Sequence, residues 1–377
     1  MTSTVLLTNG RMPKSLDLAR GLAAAGCRVV VAEPFRWHLC RVSRAVSASY
    51  VVRAPRDGKT AYLADLRAII DREHIDLIVP VSEEAMHVAG LSDSLPASVR
   101  LFGMNQQMLT ALHSKAKFIE LAASLGMTVP RTALAGSAEA AHIARTVRHV
   151  TKPVYSCSGR GVEIHDAGTQ ADRSGTAEQV IVQEFISGSL FSTCSITHCG
   201  RTLVTSIYRG VVMSGTVAVC FERVVEQPAI TRWVNDFIER AHLSGFVSFD
   251  FIVDAAGRAV AIECNPRVTS GVHFLEAADL AGAILDPGMA APIRFRGERL
   301  LQQFWPCLTE TQASIRDSGQ RRHNLRQLLR ARDVSWALSD PLPFMLMPAT
   351  SYQILAQTMF AGKTFGEAST ADISWFE

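Results

Sequence analysis

Two apolar runs joined by a short turn, late in the chain, constrain its fold most: Ser248-Phe249-Asp250-Phe251, the turn Asp254-Ala255-Ala256-Gly257, and Val260 through Arg267. Runs of this kind around a glycine-bearing turn predict a β-hairpin. Side chains alternate faces along a strand, so Glu263 and Asn265 point the same way, and hairpin pairing brings Asp250 beside them. Three hard oxygen donors, with Arg267 two residues beyond, suit a magnesium ion that also carries phosphate oxygens. That is the chemistry of nucleoside triphosphates. By the same alternation Cys264 faces away from the donors and reads as core.

The chain has 377 residues, 48% of them apolar and 19% charged, which gives room for two or three globular domains with substantial cores. A net charge of +3, with basic residues spread along the chain, argues against a nucleic-acid partner. The denser run Arg316, Arg321, Arg322, Arg326, Arg330 and Arg332 reads as the solvated face of a helix whose apolar side carries Leu325, Leu328 and Leu329. No stretch approaches the roughly 18 consecutive apolar residues of a membrane span, and the N-terminus lacks a basic region before its apolar run. No membrane association and a cytoplasmic location are therefore expected. Eight cysteines without framework spacing read as buried thiols, and Cys194, His198 and Cys199 lack the second ligand pair that zinc requires.

The first hundred residues alternate as parallel β/α units: strand Val5–Leu7, helix Ser15–Ala25, strand Arg28–Ala32, helix Tyr62–Glu73 and strand Leu77–Val79. This predicts a small doubly wound domain. Its first turn, Thr8-Asn9-Gly10-Arg11, has one glycine where a dinucleotide fingerprint needs three, which argues against NAD. Ser82 and Glu83 follow the third strand; they fit either a ligand crevice or the capped first turn of a helix. A boundary is expected near 105–112, with a helix over Lys115–Leu125 beyond it. Residues 150–270 read mostly as short strands, among them Thr202–Tyr208 and Val211–Phe221, with one helix at Ile230–His242. After about residue 285 the pattern is helical again.

Several pieces between these elements can handle phosphate. Lys152-Pro153 closes a strand and precedes a Ser/Gly segment, Ser156 to Val162, whose glycines let backbone N–H groups converge on an anion. A plain hairpin turn explains the same residues, and Lys115 at a helix start is equally a solvated lysine. Gln183-Glu184-Phe185-Ile186 resembles an edge strand leaving a linker, where backbone groups can bond an adenine edge.

In this order, Lys115, Lys152-Pro153, the Ser/Gly segment, Glu184-Phe185-Ile186-x-Gly188, Asp250 and Glu263-x-Asn265-Pro266-Arg267 resemble the ATP-grasp superfamily, particularly its carbamoyl-phosphate-synthase-like ligases. The resemblance covers about residues 1–280. It implies an α/β and α+β protein: a doubly wound domain (1–108), an ATP-grasp domain (109–285) divided into a lid-bearing subdomain (109–182) and a metal-bearing subdomain (183–285), and a mainly helical extension (286–377). It further implies that Lys115 and Lys152 bind ATP phosphates, with Ser156, Ser158, Gly159 and Gly161 in the loop over them, and that Gln183, Glu184, Phe185 and Ile186 hold adenine. Asp250, Glu263 and Asn265 would ligate magnesium, or manganese in its place. Arg267 would stabilise the transferring phosphoryl group, with Lys152 the second catalytic cation. The pattern departs from its relatives at Leu190 and Phe191, where many carry a ribose-binding acid, and at Asp250, which is shorter than the residue in some.

The resemblance implies phosphorylation of a carboxylate to an acylphosphate and its capture by an amine, so the expected partners are a small carboxylic acid and a small amine. Arg209, Arg223, Arg267, Ser270, Gly271 and His273 are the candidate substrate residues. Arg209 and Arg223 also fit exposed strand ends, and His273 either an acid–base group or a packed residue. A phosphotransferase, a ligase with another nucleophile, and a nucleotide-binding module without turnover are the alternatives. The extension can cap the site, add a layer or form a homodimer surface.

Overall fold

The computed structural model describes residues 2–156, 159–169, 179–361 and 365–375. Its first sheet is parallel: β1 (Thr4–Leu7), α1 (Pro13–Ala24), β2 (Arg28–Glu33), β3 (Ala48–Val51), α2 (Lys59–Glu73), β4 (Leu77–Val79), α3 (Ala85–Val88) and β5 (Arg100–Leu101), with strand order β3-β2-β1-β4-β5. Strands buried on both faces need apolar residues at every position. Accordingly Val5 and Leu7 of β1 join one apolar cluster, and Leu6 joins another with Tyr62, Leu66 and Ile69 of α2. The order reverses direction at β1 and β4, whose carboxyl ends carry Thr8-Asn9 and Ser82-Glu83. Open α/β sheets bind ligands at such a point.

Helices α4 (Gln106–His113) and α5 (Lys115–Ser124) lead into a four-stranded antiparallel sheet of β6 (Thr132–Leu134), β7 (His149–Pro153), β8 (Glu163–His165) and β9 (Val180–Glu184), covered by α6 (Ala138–Thr146). A seven-stranded sheet follows, built from β10 (Ser189–His198), β11 (Arg201–Ser214), β12 (Val217–Val224), β13 (Gly245–Val253), β14 (Ala259–Asn265), β15 (Leu300–Gln302) and β16 (Arg332–Asp333). Helix α7 (Pro228–Arg240) lays Ile230, Trp233, Val234, Phe237 and Ile238 on its face, against Phe118 of α5 and Phe249 and Phe251 of β13. Helix α8 (Ala277–Leu285) packs beside α1, and one apolar cluster runs from Val5 through Leu16 and Leu280 to Ile196 and Phe246, tying the first sheet to the third.

The segment read as Val211–Phe221 is not one strand. β11 runs unbroken through Arg209-Gly210 to Ser214, bulging between Gly210 and Val212, and the turn comes at Gly215-Thr216. Beyond residue 285, β15 and β16 extend the sheet, and α9 (Phe304–Ala313), α10 (Ser318–Arg330), α11 (Leu342–Ala361) and α12 (Phe365–Thr370) supply the helical part. In α10 only Leu328 of the three leucines is buried; Leu325 and Leu329 face solvent with the arginines. The C-terminal segment returns to the first sheet. Arg11, fully buried, donates to Glu33 of β2 and makes two bonds of 2.8 and 2.7 Å to Asp372. Asp340 likewise accepts from Arg20, Ser43 and the Arg44 N–H. Among the described residues no helix is long and apolar enough to cross a membrane.

Candidate active site

The hairpin pairs Asp250 with Glu263 and Ser248 with Asn265, so the two carboxylates lie directly opposite across β13 and β14. Its turn is set by Asp254, whose carboxylate accepts from the N–H groups of Ala256 and Arg258 while Gly257 takes a positive φ of 76°. Asp250 accepts from Ser192 Oγ at 2.6 Å and from Asn265 Nδ2 at 3.2 Å. Burial, and then the like charge of Glu263, push the Asp250 carboxyl above the ordinary carboxylate range.

Two lysines reach this pair from outside the hairpin. Lys115 follows the N-cap Ser114 of α5, yet its side chain is buried rather than solvated: Nζ donates to Ser156 O at 2.7 Å and lies 3.6 Å from Glu263 Oε2. Lys152, next to last in β7, donates to Ile262 O at 3.0 Å. Burial draws its ammonium down to about 8, and the neighbouring Lys115 adds to the effect. The Ser/Gly segment brings Ser156, buried, beside Lys115, while Gly159 and Gly161 both have positive φ. A Cβ on Gly159 would come within 2.6 Å of Thr216, so this segment touches the β11–β12 turn. Ser158 lies outside the described residues.

At the end of β9, Gln183 donates to Thr132 Oγ1, and Glu184 accepts from Arg131 Nε at 3.0 Å. The N–H groups of Glu184 and Phe185 bond the carbonyls of Arg131 and Arg148, and the Arg148 guanidinium stacks over the Phe185 ring at 4.4 Å. Ile186 follows outside regular structure, half-buried. Leu190 is exposed and Phe191 enters the core of the third sheet.

Arg267 joins the hairpin to the first sheet. Its guanidinium donates to Asn265 Oδ1 at 2.9 Å and to Glu83 Oε1 at 2.5 Å. Glu83 is fully buried in the turn just before α3; a helix does start here, but with Glu84 at its N-cap position and no side-chain cap from Ser82. Burial alone would raise its carboxyl, but Arg267 and then His113 outweigh that and hold it at about 2. His113 Nε2 stands 3.4 Å from Oε2. Next to this junction Lys14 of α1, which the sequence did not mark, donates to Val268 O at 2.7 Å and Ser82 Oγ at 3.2 Å. Lys14 is the second residue of α1, after the loop that follows β1, and belongs to no motif.

The remaining substrate candidates are dispersed. Arg209 is exposed and pairs across the strands with Glu222 at 2.7 Å. Arg223 lies next to last in β12, over the Phe295 ring at 4.6 Å. Ser270 and Gly271 open a short turn of helix, where a Cβ on Gly271 would meet Cys194. His273 is buried, its Nδ1 2.6 Å from Asp17 Oδ2 and its ring stacked on Phe221. The structure therefore gathers Lys115, Lys152, Asp250, Glu263, Asn265 and Arg267, and leaves Arg209, Arg223 and His273 in contacts of their own.

Two crowded carboxylates and an amide oxygen are hard donors suited to a magnesium ion, and a divalent cation would relieve the repulsion that raises Asp250. Among the described residues no three His, Cys, Asp or Glu side chains cluster for a metal, and the amide oxygen of Asn265 is the further donor beside the two carboxylates.

Residues 112–271 match the family described as an ATP-grasp domain. No curated protein matches the chain by sequence. Solved structures do match. N5-carboxyaminoimidazole synthetase from Staphylococcus aureus is 13% identical over 84% of this chain and 86% of its own, with a TM-score of 0.64. Biotin carboxylase from Campylobacter jejuni, in complex with β,γ-ATP, is 16% identical over 80% and 76%, with a TM-score of 0.64. An L-amino acid ligase from Bacillus licheniformis is 15% identical over 77% and 78%, with a TM-score of 0.59. At these identities the likeness is one of fold, and the family match identifies residues 112–271, which include the two lysines and the carboxylate hairpin, as an ATP-grasp domain.

Proposed function

We propose that this protein is an ATP-dependent carboxylate–amine ligase, with residues 1–108, 109–285 and 286–377 as its three parts. The observation that carries the reading is the place of Arg267, between the amide of the metal-suited set and the buried Glu83 of the first sheet. A carboxylate bound at the sheet's crevice would meet there a guanidinium that also faces the phosphate site.

In this reading the substrate carboxylate attacks the γ-phosphorus of ATP, the bond to ADP breaks, and an acylphosphate forms. An amine then adds to the acyl carbon, phosphate leaves, and an amide remains. Phosphoryl transfer of this type needs positioning and charge neutralisation rather than a covalent nucleophile. Lys115 and Lys152 would hold the ATP phosphates, Ser156, Gly159 and Gly161 would lie along them, and residues Gln183 to Ile186 would face adenine. Arg267 would neutralise charge on the carboxylate and the transferring group. Magnesium, held by Asp250, Glu263 and Asn265, would supply Lewis-acid neutralisation of the phosphate oxygens.

The test is phosphate release from ATP and magnesium with small carboxylic acids and amines supplied singly and in pairs, followed by mass spectrometry. The expected result is pair-dependent release with a product equal to both partners less water. A phosphorylated product without free phosphate would identify a phosphotransferase instead, and ATP binding without turnover on any pair would refute the ligase.

A further inference from the structure

Lys14 is a cation placed beside another cation. Its side chain is part-buried in the first turn of α1, and its ammonium bridges the first sheet and the loop after β14 through Ser82 Oγ and Val268 O. Its third N–H has no acceptor among the described residues. Arg267 is the neighbour that most opposes its charge; Glu83 and Glu84, after β4, and Cys194 of β10 also face it. Both carboxylates already accept other hydrogen bonds, and neither is bonded to Lys14. Glu83 accepts from Arg267, and Glu84 accepts from Thr8 Oγ1 and from the N–H groups of Val81 and Ser82. Beside them Asn9, fully buried, receives Ser15 Oγ on Oδ1 and leaves Nδ2 without a partner.

Arg267 has the Glu83 carboxylate against it, whereas Lys14 makes no ion pair among the described residues, so an anion entering this poorly hydrated junction meets one cation without a carboxylate partner. We propose that Lys14 is a substrate-binding residue: it and Arg267, from opposite sides of the junction, clamp the carboxylate of the acid substrate. This rests on the ligase reading and adds to it the residue of the first sheet that recognises the acid. Arg267 presents a planar fork and Lys14 a point charge with a spare donor, so one carboxylate can be held by both charges.

Burial and Arg267 draw the Lys14 ammonium down to about 7. A bound carboxylate favours the charged form, so binding should take up a proton above that pH, and KM for the acid should rise there.

The experiment compares wild type, Lys14→Met and Lys14→Arg in acid-dependent phosphate release, over a panel of sodium salts of amino acids and simple carboxylic acids, from about pH 6 to about pH 9. Lys14→Met should raise KM for the acid on the order of tenfold or more and flatten its pH dependence, and Lys14→Arg should recover part of the loss. Circular-dichroism melting establishes that both variants are folded. An unchanged KM and pH profile in folded Lys14→Met overturns the proposal and leaves the ligase standing. If no acid supports release by wild type, the ligase reading falls, and calorimetric titration of the same salts with ATP and magnesium present decides Lys14: heat in wild type that Lys14→Met loses supports the clamp, and no heat in wild type overturns it.

Discussion

Arg267 Nε and Glu83 Oε1 meet at 2.5 Å across the junction of the first sheet and the hairpin, 184 positions apart in sequence. The pair fixes the guanidinium beside the phosphate-handling cluster, so geometry there depends on a residue of another layer. Glu83→Ala should leave a largely buried guanidinium uncompensated and cost about 3–5 kcal/mol, read by urea denaturation. The pH dependence follows from the sign of the shift. Glu83 is held at about 2 against an ordinary 4.5, so its contribution is complete above 4.5 and lost as pH falls toward 2. Glu83→Gln should reduce the slope of stability against pH in that window.

Neutralising either carboxylate of the hairpin should separate nucleotide binding from turnover. Asp250→Asn and Glu263→Gln are each expected to lower magnesium-dependent phosphate release on the order of a hundredfold or more, and chelation by EDTA should abolish it in wild type. Retained turnover in Glu263→Gln would remove the hairpin from any role in metal binding.

The buried lysines give a different signature. Lys115→Met and Lys152→Met should raise KM for ATP about tenfold or more, each removing a charged donor from the phosphate site. Because Lys115 also holds Ser156 O and lies by Glu263, its variant should lower the melting temperature too. Fluorescent-nucleotide binding and thermal melts together check both effects.

A methyl group at Gly188 tests the passage from β9 into the third sheet. A Cβ there would overlap the carbonyl oxygen of Val253, which is backbone and cannot rotate aside. Gly188→Ala should therefore cost about 1–3 kcal/mol through displacement of β10 from β13, measured by thermal unfolding.

Glu33 is a harsher test of the first sheet. It accepts from the N–H groups of Gly10, Arg11 and Phe35 as well as from the Arg11 guanidinium. Glu33→Ala should cost about 3–5 kcal/mol, since it leaves buried donors without partners. Asp372→Ala, which leaves the Arg11–Glu33 pair in place, should cost less. Despite burial, Arg11 holds the Glu33 carboxyl below its ordinary range, so acid below that range should erase the difference between wild type and Glu33→Ala.

The sequence showed most where local pattern and long-range structure agree. Val5–Leu7, Arg28–Ala32 and Leu77–Val79 are strands because continuous β-branched and aliphatic runs fit a sheet covered on both faces, and Asp254–Gly257 is a turn for reasons within four residues. β3, β5 and β16 passed unread because they lack the continuous aliphatic runs of β1 and β4 and are held by their neighbours' hydrogen bonds, and β15 because its apolar pair is too short to stand out. Arg209-Gly210 mimics a turn, yet β10 and β12 on either side carry β11 through it with a bulge. Lys115 and Lys152 were legible as cations and in their order, but their convergence on Glu263 was not. Lys14 had no signal of its own, since its partner Val268 lies 254 residues away.

The pairing of Arg11 with Asp372 also sets a clock. These residues stand 361 apart, and ribosomes add about 5–20 residues per second, so Arg11 waits roughly 20–70 s after synthesis for the carboxylate that completes its surroundings. Until then Arg11 of the nascent chain has Glu33 but lacks its second carboxylate. The buried charge network of the first sheet is therefore closed only by a segment far along the chain, and chaperone occupancy should concentrate on nascent chains that have not yet reached Asp372.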